Sequence, residues 1–229
     1  MNTSMQRNAA KYICTLIIQC ALGANAFFLT AGSWNVPRGI LYFVLYFLAS
    51  LSGGIYLYRF DAGTLEARKE IADDTKKWDK AILRLFVPLA YVAIYVAAGI
   101  PQRFGQPYPS VMLYWTGIAV TVATIIVIVW AVRENRNFES SVRIQYDRQH
   151  TVCSSGPYAF VRHPGYSGVI LWAVAMIMMF GWYTGIVSAL IITLFVVRTI
   201  LEDAMLSTEL PGYVEYSKRV RYRLLPFVW

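Results

Sequence analysis

The sequence predicts an all-α integral membrane protein of about six transmembrane helices, the last two a tight hairpin, with a cytoplasmic cofactor site built from the C-terminal part. Three observations predict the fold. Hydrophobic residues make up 57% of the 229 residues and charged ones only 15%, against about 45–50% and about 25% in soluble domains. The apolar residues gather in runs close to the ~20 residues that span a bilayer as a helix. The basic residues fall almost wholly in alternate loops, as the positive-inside rule requires of a multi-pass protein.

The runs cover residues 12–31, 39–58, 82–100, 111–132 and 166–197. Arg7 and Lys11 precede the first, and Ala24-Asn25-Ala26 resembles a signal-peptide cleavage site. The apolar run continues through Phe27-Phe28-Leu29, however, so a retained span is expected. Pro88 should kink the third span. The fifth run has 32 residues, or about 48 Å as one helix against a hydrocarbon core of about 30 Å. It must turn, and Gly181-Trp182-Tyr183-Thr184-Gly185 offers flexible residues and interfacial aromatics for the turn. Two helices are therefore expected, roughly 165–180 and 184–205.

With the N-terminus cytoplasmic, 19 of the 21 Lys and Arg lie inside, and Arg38 and Arg103 remain outside. Both termini and the segments 59–80, 133–164 and 206–229 then share the cytoplasmic face. A net charge of +8 would suggest nucleic acid for a soluble chain; here the placement of charge matters more, and neither a nucleic-acid nor an obligate protein partner is expected. Cys14, Cys20 and Cys153 have no metal-binding or disulfide spacing, so no metal site is expected. The chain divides into a four-helix transmembrane region, 1–134, and a C-terminal core, 135–229.

Both histidines, His150 and His163, lie in the 133–164 segment. There Val142-Arg143-Ile144-Gln145 alternates like a short strand, Asp147-Arg148-Gln149 reads as a turn, and Ser154-Ser155-Gly156-Pro157-Tyr158 as a loop. Pro164 suits the first turn of a helix. Arg162 and His163 beside that helix start form a site for a carboxylate or phosphate, although a basic pair alone also marks a membrane boundary. Gly156, Pro157, Pro164, Gly165 and Gly168 tip the balance, because a charge anchor needs no such backbone path. A second cluster, Arg198, Glu202, Asp203 and Glu209, lies where the last span leaves the membrane. Its plain reading is an i,i+4 ion pair between Arg198 and Glu202; its functional reading is a carboxylate site for an ammonium group. The hairpin returns this cluster to the surface that carries His163.

Gly156-Pro157-Tyr158, the run Val161-Arg162-His163-Pro164 with Tyr166 and Gly168, the pair Glu202-Asp203 with Leu206, and the ending from Leu210-Pro211-Gly212-Tyr213 to Tyr222-Arg223-Leu224-Leu225-Pro226 resemble the isoprenylcysteine carboxyl methyltransferase family. The likeness is to its short prokaryotic members, within the wider group that includes phospholipid methyltransferases, and it covers roughly residues 135–229. It implies a membrane enzyme that transfers a methyl group from S-adenosyl-L-methionine, leaving S-adenosyl-L-homocysteine, to a lipophilic or prenylated acceptor in the bilayer. It further implies that His163 meets the cofactor carboxylate, that Tyr158, Tyr166 and Gly168 lie around it, and that Glu202 binds its ammonium group. Asp203 stands where the family has a second Glu, and Glu209 and Tyr213 lie in the matching tail. Arg143, Arg162 or Arg219 would orient an acceptor carboxylate, which is already ionised and needs no general base. Two alternatives share parts of the pattern: an NADPH-dependent membrane sterol or enone reductase, and a phospholipid amine methyltransferase.

Overall fold

The structure is a computed structural model that describes residues 3–60 and 72–229, with side chains from residue 13 to 59 and from 72 onward. Arg7, Lys11, Arg68 and Lys69, which enter the charge asymmetry, lie outside the described side chains. Helices α1 (Thr3–Ala31) and α2 (Pro37–Phe60) are the first two apolar runs. The third span begins as α3 (Lys77–Pro88). Pro88 has no N–H to donate backwards, and the next turn widens into a π segment, Leu89–Ala93, before α4 (Ile94–Arg103) resumes. The expected kink is thus a π-bulge. Ser110 caps α5 (Val111–Glu134) by accepting from Leu113 N at 3.3 Å.

The expected hairpin is α6 (Pro164–Phe180) and α7 (Trp182–Glu209), split at Gly181. Its φ of +92° is one that side-chain-bearing residues rarely adopt. A short α8 (Tyr213–Arg219) precedes the tail. Among the described residues five helical stretches have the length and apolarity of a membrane span, and α6, with 17 residues, is a shorter apolar helix. No strand occurs among the described residues. Val142 and Ile144 are buried as the alternation indicated, but so is Gln145, which breaks it, and no neighbouring chain offers a ladder. Val142 N donates instead to Asp79 Oδ2 at 2.7 Å, and its carbonyl accepts from Lys76 N at 3.1 Å.

The most apolar windows of the long spans are only 22–33% buried within the bundle. Ile18, Leu29, Ile126 and Ile186 point outward. Such a surface is stable against lipid, not water. Inside, one apolar cluster joins Phe27, Tyr42, Ile94, Met176, Phe180 and Ile191 from α1, α2, α4, α6 and α7. At one end Arg38 ties the loop before α5 to the end of α6, donating to the carbonyls of Pro109 (2.7 Å) and Met179 (3.3 Å) and lying 5.3 and 5.1 Å from the ring centres of Tyr108 and Tyr114. At the other end a smaller cluster of Val142, Ile144, Leu206, Tyr213 and Tyr216 packs the 135–163 loop on the ends of α7 and α8.

Candidate active site

That second end carries a cleft of about 750 Å³, counting the open space at its mouth. The turn at Gly156 supports one wall. Its φ is +56°, and a Cβ there would lie 2.8 Å from Glu134 Cγ, so both conformation and space demand glycine. The 3₁₀ turn Gly156–Ala159 then places Tyr158 on the wall, where Tyr216 Oη donates to its carbonyl at 2.7 Å. Burial pushes the Tyr158 hydroxyl far above its ordinary pKa, which keeps it neutral.

The C-terminal tail clamps the start of α6. Arg162 N and His163 N donate to the carbonyls of Tyr222 and Arg223, each at 2.9 Å. His163 occupies the N-cap position and Pro164 the first helical position. The His163 ring stacks on Tyr166, their planes 9° apart. Its Nε2 is 3.3 Å from Asp203 Oδ1 and its Nδ1 3.7 Å from Glu202 Oε2.

Asp203 is fully engaged. It accepts from Tyr213 Oη at 2.6 Å and Arg223 Nε at 2.9 Å, and pairs with an Arg162 terminal nitrogen at 3.0 Å. Glu202 is bonded by Tyr166 Oη and keeps a face on the cleft. Arg198 does not pair with Glu202 as its i,i+4 spacing indicated. It turns to Asp79, which is completely buried, with contacts of 2.8 and 3.2 Å, donates to Ser140 O at 2.9 Å, and lies 4.8 Å from the centre of the Tyr166 ring. One Asp–Arg pair thereby fastens α3, the 140–142 backbone and α7 beneath the cleft.

The cleft thus gathers Tyr158, Arg162, His163, Tyr166, Glu202 and Tyr213 of the residues singled out from sequence. Arg143 also reaches it, but its guanidinium is already taken by Glu139, Asp147 and Asp74. Asp203 stands behind His163. Gly168 packs against Ile128 of α5, Glu209 pairs with Lys76 at 2.8 Å, and Arg219 is exposed on α8, outside the cleft lining. Sequence reasoning missed Asp79, Asn137 and Gln145, and gave His150 no role. Gln145 is buried, donates to Asn137 O at 2.6 Å and gives its backbone N–H to His150 Nδ1 at 3.5 Å. Burial lowers the His150 pKa.

Two buried polar atoms on the cleft wall, Ser141 Oγ and Arg162 Nε, have no hydrogen-bond partner among the described residues. Buried donors are rarely left this way without a ligand or water to meet them. With the Glu202 carboxylate lining the same cleft, the cleft presents donors for an anion and an acceptor for a cation.

A helical bundle that faces lipid and concentrates its polar groups in one such cleft has the layout of a multi-pass membrane enzyme. A model of the isoprenylcysteine carboxyl methyltransferase (ICMT) family matches residues 115–208, from α5 through the cleft loop to the end of α7. A probable protein-S-isoprenylcysteine O-methyltransferase of Oryza sativa subsp. indica is 30% identical over 129 residues, covering 53% of this chain and 67% of the relative. Protein-S-isoprenylcysteine O-methyltransferase B of Arabidopsis thaliana is 30% identical over 88 residues (37% and 45%), and protein-S-isoprenylcysteine O-methyltransferase of Schizosaccharomyces pombe 30% over 92 residues (39% and 39%). The chain belongs to the isoprenylcysteine carboxyl methyltransferase family and is a multi-pass membrane methyltransferase.

Proposed function

We propose that the protein uses S-adenosylmethionine to methylate a carboxylate on a lipophilic, prenylcysteine-like acceptor, with residues 135–229 carrying the chemistry and residues 1–134 supporting them in the bilayer. The observation that carries this reading is the presence in one cleft of Glu202 and the unfilled Ser141 Oγ and Arg162 Nε. The amino-acid end of S-adenosylmethionine bears an ammonium and a carboxylate, so the residues present fit it. Glu202, held in place by Tyr166, receives the ammonium; His163 and the unfilled Ser141 Oγ face the carboxylate. Tyr158 and Tyr213 close the wall as neutral hydroxyls, Tyr213 because burial first and Asp203 second raise its pKa.

The bound cofactor supplies an electrophilic methyl group on a positively charged sulfur. The chain's own task is to bind, orient and exclude water. Arg162, tied to Asp203 at one nitrogen, keeps Nε for the acceptor carboxylate. No residue need take a proton, because that carboxylate is ionised at neutral pH. Meeting of opposite charges in a dry site favours the displacement, and alignment of the reacting atoms to about 3–3.5 Å supplies much of the rate. The names of the relatives support the prenylcysteine carboxylate over a lipid amine, and the matched family displaces the reductase alternative. We place the cleft and both termini on the cytoplasmic side, on the strength of the basic-residue asymmetry.

The test uses S-adenosylmethionine carrying a labelled methyl group, offered with N-acetyl-S-farnesylcysteine or with phosphatidylethanolamine. Base-labile label on the farnesylcysteine is the expected result. Label on the amine lipid alone would overturn the carboxylate reading.

A further inference from the structure

A second concavity lies far from the cleft in chemistry. Between α2 and α5 runs a groove of about 970 Å³, counting the open space at its mouth. Ala49 and Ser52 of α2 and Val122 and Ile126 of α5 form its apolar walls. Tyr56, Trp130 and Arg133 line its end nearest the cleft side of the membrane, with Arg133 donating to Tyr56 Oη and lying 5.5 Å from the ring centre. Arg59, exposed one turn beyond Tyr56, adds a positive charge there.

From Val122 to Arg133 the groove follows α5 for about 16 Å at 1.5 Å per residue. That is half of a hydrocarbon core of about 30 Å, the depth of a single leaflet. The groove also stands apart from the acceptor's route. α5 turns Thr124 and Ile128 toward Gly168 of α6, and Ile125 and Val129 toward Gly53 of α2; Val122, Ile126 and Trp130 follow on the flank roughly opposite α6.

We propose that this groove binds one anionic phospholipid of the leaflet on the cleft side, its acyl chain along α5 and its phosphate-bearing headgroup at Arg133 and Arg59. Apolar walls one leaflet deep match an acyl chain. The paired basic residues, flanked by Tyr56 and Trp130 at interfacial depth, match a negative headgroup. Arg133 belongs to none of the cleft's binding groups, so the site is separable from methyl transfer.

Native mass spectrometry of the full chain, released from neutral detergent with phosphatidylglycerol or with phosphatidylcholine of identical chains, tests this directly. Phosphatidylglycerol should be retained with at least about fivefold higher affinity, the scale expected of each interfacial basic residue. Arg133→Gln should weaken the preference, Arg133→Gln together with Arg59→Gln should erase it, and Arg133→Lys should keep it, all with thermal unfolding in detergent unchanged. Filling the groove with Ala49→Phe and Ser52→Phe should reduce retention of both lipids. Equal retention of the two lipids by the parent chain, a preference that survives the double replacement, or undiminished lipid on the filled groove would each overturn the proposal. So would a dimer mass in place of the lipid adduct, since the groove would then be the seat of a second copy.

Discussion

Glu202 and Asp203 are consecutive on α7 but face different surroundings. Asp203 is enclosed by Arg162, His163, Tyr213 and Arg223, whereas Glu202 keeps part of its carboxylate on the cleft. Removing the charge of Asp203 leaves two arginines short of a partner. Asp203→Asn is therefore expected to cost about 3 kcal/mol or more of stability, read as a lowered thermal unfolding midpoint in detergent; an unchanged midpoint would free Asp203 for a direct part in binding. The spacing alone could mark the acidic pair but not this division, because it depends on Arg223 returning from the tail. His150 shows the same limit. Its Nδ1 accepts from the backbone of Gln145, whose side chain Asn137 holds, two neutral residues with no motif value. Because its folded pKa lies below the ordinary histidine value of 6.5, protonation favours the unfolded chain. Stability should hold above pH 6.5 and fall as pH drops from there toward the folded pKa, and His150→Gln should flatten that part of a stability–pH curve measured by thermal unfolding.

At the scale of the elements, apolar run length and punctuation were legible. Gly181 splits the 32-residue run where interfacial aromatics begin, and Pro164 opens α6. Pro88 marked a kink, though only the backbone reveals its form as a π turn. Alternation at 142–145 indicated the burial of Val142 and Ile144 but not that of Gln145, and it implied a neighbouring strand where none lies among the described residues. The Arg198–Asp79 pair joins α7 to α3 across more than a hundred positions of sequence and has no local signal. Breaking a buried pair leaves a desolvated charge, so Asp79→Asn should cost about 3–5 kcal/mol, while the double replacement Asp79→Leu with Arg198→Met should recover much of it. Thermal unfolding of the three proteins measures this. A double variant no better than the single one would show that the pair's bonds to Val142 N and Ser140 O matter more than its mutual attraction.

For the whole molecule, hydropathy and basic-residue placement together define a bundle with one polar working end. The membrane constrains this more tightly than any motif: backbone groups must be satisfied within helices, so apolar length alone locates them. Single cysteines near Asp73 and near Gln106, in a chain otherwise free of cysteine, should react from opposite sides of sealed vesicles; labelling from one side would contradict the orientation. What remained hidden was how the tail and the 135–163 loop close the cleft, because that depends on backbone bonds such as Arg162 N to Tyr222 O, to which any residue type contributes equally.

The central claim, that the cleft holds S-adenosylmethionine by its amino-acid end through Glu202, is tested most directly by equilibrium binding of S-adenosylhomocysteine to the parent chain and to Glu202→Gln. Loss of a charge-assisted hydrogen bond costs about 1.5–3 kcal/mol, so the variant should bind about 10- to 150-fold more weakly with its thermal unfolding unchanged. Equal affinity in the two proteins, or no binding by the parent chain, would contradict the account.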